Sequence, residues 1–275
     1  MWSEFLPSSL QEDKTGLWRC KTRTEISYPE TGNASLLAVE DTSFWFQHRN
    51  RCIVSAVRRF PPGGPIIDVG AGNGFVARGL QDADFDVIAV EPGIDGALAA
   101  RQRGVECVVC GTVQDVGFAE SSLPAVGLFD VLEHIEDDIA TLTSIRQTLR
   151  SRGRLYLTVP AYQFLFSGED RVAGHFRRYS RRSLNCALTQ AGFNIEYGGY
   201  FFFFLPLPIF VFRTLPSWFK ADQSYRAESI SKDHMAPAPI GQLTSTALEW
   251  ESRLIACGGR IRFGGSYLAV ARKPG

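Results

Sequence analysis

The sequence lacks an excess of charge of either sign. Its 29 lysine and arginine residues are matched by 29 aspartate and glutamate residues, so the formal net charge of the 275-residue chain is +0. Proteins that bind nucleic acids usually carry a basic surplus, and we therefore expect no nucleic-acid partner. Internal repeats and low-complexity tracts are also missing, while hydrophobic residues make up 45% of the chain. This composition is typical of a folded globular protein.

Targeting signals and membrane-spanning runs are missing as well. The segment Met1–Phe5 has no basic region followed by an apolar core, so no secretory signal is expected. The apolar run Tyr200–Phe212 is interrupted by two prolines and falls short of the roughly 20 residues that span a bilayer. We expect it to form a buried strand and a turn into a lid or a homodimer surface. The alternative is an apolar substrate wall or a shallow, peripheral membrane contact of an otherwise cytoplasmic protein.

The six cysteines do not form a recognisable metal or disulfide framework. Cys107 and Cys110 are spaced as C-x-x-C, but no second such pair and no nearby histidine accompanies them. The two valines between them predict a strand, on which side chains three positions apart point to opposite faces. We therefore expect buried thiols in a reducing compartment and no metal site.

Apolar runs alternate with helical spacings along most of the chain. Strands are predicted at 66–69, 86–90, 106–110, 125–129, 153–159, 193–197 and 266–272, and helices at 40–60, 75–81, 96–103, 135–150 and 183–191. Repeated β-α units of this size favour an α/β fold, with a parallel sheet and helices on both of its faces. The predicted organisation is an N-terminal extension (1–40), a main domain (41–200 and 260–275) and a hydrophobic, helical insertion (201–259).

A glycine-rich turn joins the first predicted strand to its helix and reads G-A-G-N-G from Gly70 to Gly74. Glycines there let the chain turn tightly and let a ligand approach the backbone. A dinucleotide fingerprint, G-x-G-x-x-G, would place its third glycine at position 75, which is Phe75. The pattern therefore disfavours NAD.

Glu91 ends the next predicted strand and is followed by Pro92. An acidic side chain at this position can accept hydrogen bonds from both ribose hydroxyls of an adenosine, and it would repel the 2′-phosphate of NADP. The glycine-rich turn and Glu91, within one β-α-β unit, together predict an adenosine site.

These features, with the run Phe129-Asp130-Val131-Leu132-Glu133-His134 and the aromatic segment Ser43–Asn50, resemble the class I S-adenosylmethionine (SAM)-dependent methyltransferases. The resemblance is to the group with a D-V-L-E-H signature and covers about 40–190 and the closing strand at 266–272. It implies a Rossmann-like fold with a central, mostly parallel, seven-stranded sheet. It also implies SAM as the cofactor and S-adenosylhomocysteine as the product.

The resemblance implies cofactor contacts position by position. Asp68 would hold the glycine-rich turn and approach the methionine ammonium, and Glu91 would bind the ribose. Arg49 is a candidate for the methionine carboxylate, because a guanidinium matches a carboxylate in a two-pronged contact. The other cofactor-binding candidates are Gly70, Ala71, Gly72, Gly74, Pro92, Thr112, Val113, Phe129 and Leu132. Relatives often carry an acidic residue near the adenine; the nearest ones here are Asp115 and Glu120.

Methyl transfer from a sulfonium is an in-line displacement, so positioning supplies most of the catalysis. A base is needed when the acceptor must lose a proton, as a hydroxyl would. His134, directly after the fourth strand, is the first candidate base, and a pocket-shaping role is its alternative. Glu133 is expected to cap or anchor the helix that follows.

His175 and Tyr179 are the other catalytic candidates. They belong to a long loop after the fifth strand that also carries Asp170 and Arg178, and similar methyltransferases have a like G-H-x-R-R-Y run. The loop is predicted to form part of the acceptor site or, alternatively, a salt-bridged lid.

The sequence therefore predicts a methyltransferase acting on a small-molecule, glycan or lipid-linked acceptor, at oxygen. Two alternatives remain open: a nucleotide-dependent oxidoreductase on a Rossmann fold, and a SAM-fold module that docks a partner or a membrane through Tyr200–Phe212. Fold alone does not decide between them.

Overall fold

The computed structural model describes residues 2–20, 37, 39–219 and 241–275. Nine strands join into one sheet: β1 Gln11–Glu12, β2 Trp18–Arg19, β3 Ile66–Val69, β4 Val87–Glu91, β5 Val108–Cys110, β6 Leu123–Phe129, β7 Leu149–Pro160, β8 Asn194–Phe201 and β9 Ser266–Arg272. Their order in the sheet is β1-β2-β5-β4-β3-β6-β7-β9-β8. The strands β5, β4, β3, β6 and β7 are mutually parallel, and β9 runs antiparallel between β7 and β8. The predicted α/β class with a mostly parallel sheet is confirmed.

The chain changes direction across the sheet at β3. From β3 it proceeds outward through β4 to β5, and it then returns to the other side of β3 for β6 and β7. Crevices form outside the carboxyl ends of parallel strands where the strand order reverses in this way, and ligands bind there. The glycine-rich turn after β3 and the D-V-L-E-H signature after β6 flank this reversal.

The N-terminal segment departs from the prediction of an irregular extension and a seven-stranded sheet. The strands β1 and β2 form a hairpin whose second strand pairs in parallel with β5. The Asp13 carboxylate stabilises the turn between them by accepting the backbone N–H groups of Thr15 and Leu17 at 2.8 and 3.2 Å. The remainder of the expected extension, from Lys21, lies almost entirely outside the described residues.

Helices cover both faces of the sheet. They are α1 Phe44–Arg59, α2 Phe75–Gln81, α3 Ile94–Gln102, α4 Val113–Val116, α5 Asp138–Thr148, α6 Gly168–Val172, α7 Arg181–Gln190, α8 Pro206–Ile209, α9 Leu215–Phe219 and α10 Gly241–Ala256. Two apolar cores lie on the two faces, and successive residues of a strand belong to different ones, as Ile66 and Ile67 do. Cys107 and Cys110 likewise belong to different cores, so their sulfurs diverge as predicted.

The strand and the turn predicted for Tyr200–Phe212 occupy its first residues, up to Phe204, and the remainder of the run is helical, which was not predicted for it. The strand β8 ends at Phe201; α8 then begins with Pro206 and continues as a π-helix over Phe210–Thr214. A proline is compatible with the first turn of a helix because its missing N–H is not needed there. Leu207 is 70% exposed. Among the described residues, none of the helices has the length and apolar character to cross a membrane.

Candidate functional site

The glycine-rich turn leaves β3 in a conformation that side chains rarely adopt. Gly70, Gly72 and Gly74 have φ angles of 70°, 54° and 74°, in the left-handed region that favours glycine. A Cβ on Gly70 would lie 2.8 Å from Cγ2 of Val131, and one on Gly74 would lie 2.7 Å from Cβ of Ala100. Because Val131 belongs to the D-V-L-E-H signature, the signature and the turn are in direct contact.

Glu91 points to the glycine-rich turn. Its Oε2 accepts the Gly72 N–H at 2.7 Å, and its Oε1 accepts the Gly93 N–H at 2.8 Å. The side chain is 5% exposed, and burial raises its pKa although the two N–H groups oppose that shift. Each carboxylate oxygen can accept a further hydrogen bond, so Glu91 can still bind two neighbouring hydroxyl groups.

Asp68 precedes the turn on β3 and is buried beside it. Its side chain is 1% exposed, and its Oδ2 has no hydrogen-bond partner among the described residues. Burial raises the pKa of Asp68 to about 7; the charge of Arg49 opposes this and that of Glu91 adds to it. An unsatisfied buried acceptor costs about 1–3 kcal/mol. The position therefore suits a ligand that brings a donor, and the ammonium of SAM has this chemistry.

Arg49 is held by a residue to which the sequence analysis gave no role. Its guanidinium forms an ion pair with Asp130 and lies 5.0 Å from the ring centroid of Trp45. Asp130 has a φ of 56°, a strained conformation for a non-glycine residue that is often found at functional sites. The Arg49 Nε is buried without a hydrogen-bond partner among the described residues. At least this donor therefore remains for the carboxylate that Arg49 is predicted to bind.

The remaining cofactor-binding candidates differ in exposure. Thr112 caps α4, and Asp115 accepts its backbone N–H and its hydroxyl at 3.1 and 2.8 Å. The Asp115 carboxylate is therefore directed to Thr112. Phe129 is 6% and Leu132 0% exposed, and they belong to the cores on opposite faces of the sheet. Three further candidates are partly exposed: Ala71, Pro92 and Val113.

Two predicted catalytic residues are close together beyond the carboxyl ends of β6 and β7. The rings of His134 and His175 are perpendicular, with centroids 4.6 Å apart. Burial and the neighbouring His175 lower the pKa of His134 to about 4, so His134 is neutral near pH 7. His175 Nδ1 lies 2.8 Å from Asp170 Oδ1, which also accepts a hydrogen bond from Arg178 Nε at 2.8 Å.

Tyr179 is placed differently from the two histidines. It is 2% exposed, and its hydroxyl donates to Asp138 Oδ2 at 2.7 Å. Arg177 forms an ion pair with the same carboxylate at 3.1 Å. These contacts attach the loop after β7 to α5 through Asp138. They are the kind of contact expected of the alternative in which this loop is a salt-bridged lid.

Glu133 was predicted to cap or anchor the helix after the signature, but it does not cap this helix. Asp137 caps α5 by accepting the Ala140 N–H at 2.9 Å. Glu133 is instead 1% exposed, and its Oε2 has no hydrogen-bond partner among the described residues. Burial and the nearby Asp130 raise its pKa well above the ordinary range.

Comparisons with known proteins show that the chain belongs to a methyltransferase family. A family described as a methyltransferase domain matches residues 44–197. The chain is 24% identical over 173 residues to a probable S-adenosylmethionine-dependent methyltransferase of Mycolicibacterium smegmatis, covering 61% of this chain and 66% of the relative. It is 24% identical over 160 residues to a ubiquinone biosynthesis O-methyltransferase of Xanthomonas axonopodis pv. citri, covering 51% of this chain and 67% of the relative.

A solved structure with a similar fold contains the cofactor. It is a phosphoethanolamine N-methyltransferase of Haemonchus contortus in complex with S-adenosyl-L-methionine. The two chains superpose with a TM-score of 0.54 and 18% identity, over 91% of this chain and 59% of that one.

Proposed function

Because this chain belongs to the methyltransferase domain family, we propose that it moves the methyl group of SAM to an oxygen atom of a small-molecule, glycan or lipid-linked acceptor. The cofactor supplies an electrophilic methyl group on a sulfonium. The observation that carries the proposal is the contact between the glycine-rich turn and the D-V-L-E-H signature. This contact supports an adenosine site and a histidine pair at the same end of the parallel strands.

The residues at this edge have complementary tasks. Glu91 binds the ribose hydroxyls, the unpaired oxygen of Asp68 binds the ammonium, and Arg49 binds the methionine carboxylate. An electrostatic interaction between Asp68 and Arg49 and the ion pair of Arg49 with Asp130 connect this part of the cleft to the signature. These contacts hold the methyl group against the acceptor, which is the main requirement of an in-line displacement.

The choice of oxygen rests on the acceptor side. A hydroxyl must lose its proton during methyl transfer, and the pair His134–His175 offers imidazole nitrogens at the signature. His134 is neutral near pH 7, so it does not repel a cationic methyl donor. The named activity of the Xanthomonas relative, an O-methyltransferase, supports the same atom.

The experiment is a methylation screen with ¹³C-methyl SAM. Purified protein is incubated with phenols, carbohydrates, lipid alcohols and amines, and product methyl groups are assigned to oxygen or nitrogen by their ¹³C chemical shift. We expect signals from O-methyl groups that are lost in Glu91→Ala and retained in Glu106→Ala, a change of an exposed glutamate. N-methyl products alone would overturn the choice of oxygen. Binding of NADH without binding of SAM would instead favour the alternative function, a nucleotide-dependent oxidoreductase.

We also propose that Tyr200–Phe212 contacts a lipid surface, which supports a lipid-linked acceptor. Large apolar side chains are exposed on this short segment: Phe203 (41%), Leu207 (70%), Val211 (41%) and Phe212 (74%). In a flotation experiment with anionic phospholipid vesicles, the parent protein should float with the vesicles, and the double variant Leu207→Ser/Phe212→Ser should not. Equal flotation of the two proteins would contradict the proposal, and a concentration-dependent dimer that the variant abolishes would assign the surface to a second copy.

A further inference from the structure

Three side chains with metal-binding chemistry meet beside the cofactor cleft. Glu133, His134 and His175 each offer an oxygen or nitrogen atom, and these three atoms lie within 4.8 Å of one another. Glu133 and His134 follow β6, and His175 belongs to the loop after β7. The cluster therefore forms at the carboxyl ends of two neighbouring parallel strands, where this fold class places its ligands.

Backbone contacts hold the two chain segments together. The Phe176 N–H donates to the Glu133 carbonyl at 2.8 Å, and the His175 N–H donates to the Asp170 carbonyl at 2.8 Å. The positions of the three side chains thus follow from the folded backbone. Such pre-organisation favours ligand binding because less conformational freedom is lost on binding.

Each imidazole is oriented by a hydrogen bond to the segment that follows β7. His175 Nδ1 is hydrogen bonded to Asp170, which is itself fixed by the Ser167 N–H at 2.8 Å and by Arg178. His134 is hydrogen bonded to the backbone of Ala173 and Gly174. Metal-binding histidines usually show this arrangement, in which a carboxylate or carbonyl holds one ring nitrogen and leaves the other for the metal.

The environment of Glu133 also indicates a cation site, independently of the orientation of the two histidines. Its carboxyl group is buried, and its Oε2 has no hydrogen-bond partner among the described residues. The two arginines that interact with it electrostatically, Arg49 and Arg178, form ion pairs with other carboxylates, Asp130 and Asp170. A buried oxygen without a hydrogen-bond partner costs about 1–3 kcal/mol, and a cation between Glu133 and the histidines would offset this cost.

We propose that Glu133, His134 and His175 bind one divalent transition-metal cation, of the Zn²⁺ and Mn²⁺ class. Two imidazole nitrogens and one carboxylate oxygen suit such ions, whereas Mg²⁺ and Ca²⁺ prefer oxygen ligands alone. Three ligands leave coordination positions open for a small molecule. With metal–ligand bonds of about 2.1 Å, the ligand atoms would stand roughly 3.4 Å apart, so the side chains close slightly on binding.

The catalytic use of the cation rests on the proposed function, whereas its binding does not. A divalent cation favours ionisation of a hydroxyl that binds to it. The acceptor hydroxyl would release its proton to solvent, and its oxygen would use the freed electron pair to form the new C–O bond. The C–S bond of the cofactor would break with its electron pair on sulfur.

The first test is calorimetric titration of the chelator-treated full chain with Zn²⁺ and with Mn²⁺, which binds thiols weakly. We expect one site per chain, weakened at least tenfold by His134→Gln and by His175→Gln and unchanged by Glu106→Ala, a change of an exposed glutamate. Asp170→Asn, which changes an orienting residue, should weaken binding about 10–100-fold. Absence of a site in the parent protein, or a site that survives the double variant His134→Gln/His175→Gln, would overturn the proposal.

A second measurement does not depend on whether variants fold. In the parent protein, paramagnetic Mn²⁺ should broaden the imidazole ¹H signals of His134 and His175 more than those of His48, which is hydrogen bonded to Glu251. Equal broadening of these three sets of signals, or none, would contradict the site. Titrations of SAM into the chelator-treated protein distinguish this inference from the proposed function. SAM binding without a metal site would refute only the metal-site inference. A metal site without SAM binding would refute only the proposed function.

Discussion

His48 and Glu251 are joined by a buried hydrogen bond although 203 residues separate them in the sequence. His48 Nε2 and Glu251 Oε2 lie 2.8 Å apart, and both side chains are 0% exposed. The same carboxylate accepts the N–H groups of Phe202 and Phe203 at 2.8 and 2.7 Å. One glutamate therefore links the helix before the glycine-rich turn, the end of β8 and the C-terminal helix.

We expect Glu251→Ala to lower the free energy of unfolding by about 3–5 kcal/mol, because it removes the carboxylate that is hydrogen bonded to the buried His48 ring and to two backbone N–H groups. Urea denaturation followed by circular dichroism measures this change. The matched control is Glu249→Ala on the same helix. Glu249 forms an exposed pair with Arg253, and its loss should cost about 0.5 kcal/mol or less. Equal effects of the two substitutions would contradict the role of Glu251.

Most of the fold could be predicted because its signals are local. The closing strand was predicted with the bounds that β9 has, and the strand β3 likewise, because each is a short apolar run bounded by turn residues. The hairpin of β1 and β2 was missed since strands of two residues leave no alternation to detect. The link between His48 and Glu251 could not be predicted because it depends on tertiary packing alone.

The sequence also predicted part of the candidate site. The glycine-rich turn and Glu91 were assigned to one site because glycine spacing and a strand-end carboxylate have direct physical meaning, and a hydrogen bond joins them in the structure. The pairing of Arg49 with Asp130 was missed, although Asp130 is the first residue of the signature. The burial of Glu133 was missed because one sequence does not tell which side of a turn faces the core.

Cofactor binding should depend on pH through Asp68. The pKa of this carboxyl is raised to about 7 in the protein without ligand, and only its ionised form attracts an ammonium group. We therefore expect the Kd for SAM to rise as the pH falls below about 7, approaching tenfold per unit. Asp68→Asn should bind SAM weakly at every pH and remove most of this dependence. A Kd for the parent protein that stays constant between pH 8 and pH 5.5 would contradict the assignment.

Gly74→Ala should destabilise the protein more than Gly117→Ala does. Both glycines have positive φ, 74° and 68°, so each substitution carries about 1–2 kcal/mol of backbone strain. At Gly74 the new Cβ would also meet Ala100 at 2.7 Å, whereas nothing lies within 4 Å of a Cβ on Gly117. This overlap should add about 1–3 kcal/mol. Thermal unfolding of the two variants compares these costs, and an equal loss would show that the close approach at Gly74 is relieved without cost.

Titration of SAM into the parent protein and into Glu91→Ala, followed by calorimetry, tests the central claim most directly. Glu91 contacts the turn through Gly72, and it is assigned to the ribose hydroxyls. We expect one SAM site per parent chain and at least about tenfold weaker binding in the variant, equivalent to about 1.4 kcal/mol, with Glu106→Ala unchanged. A parent protein that does not bind SAM, or a folded Glu91→Ala variant with the parent's affinity, would contradict the account.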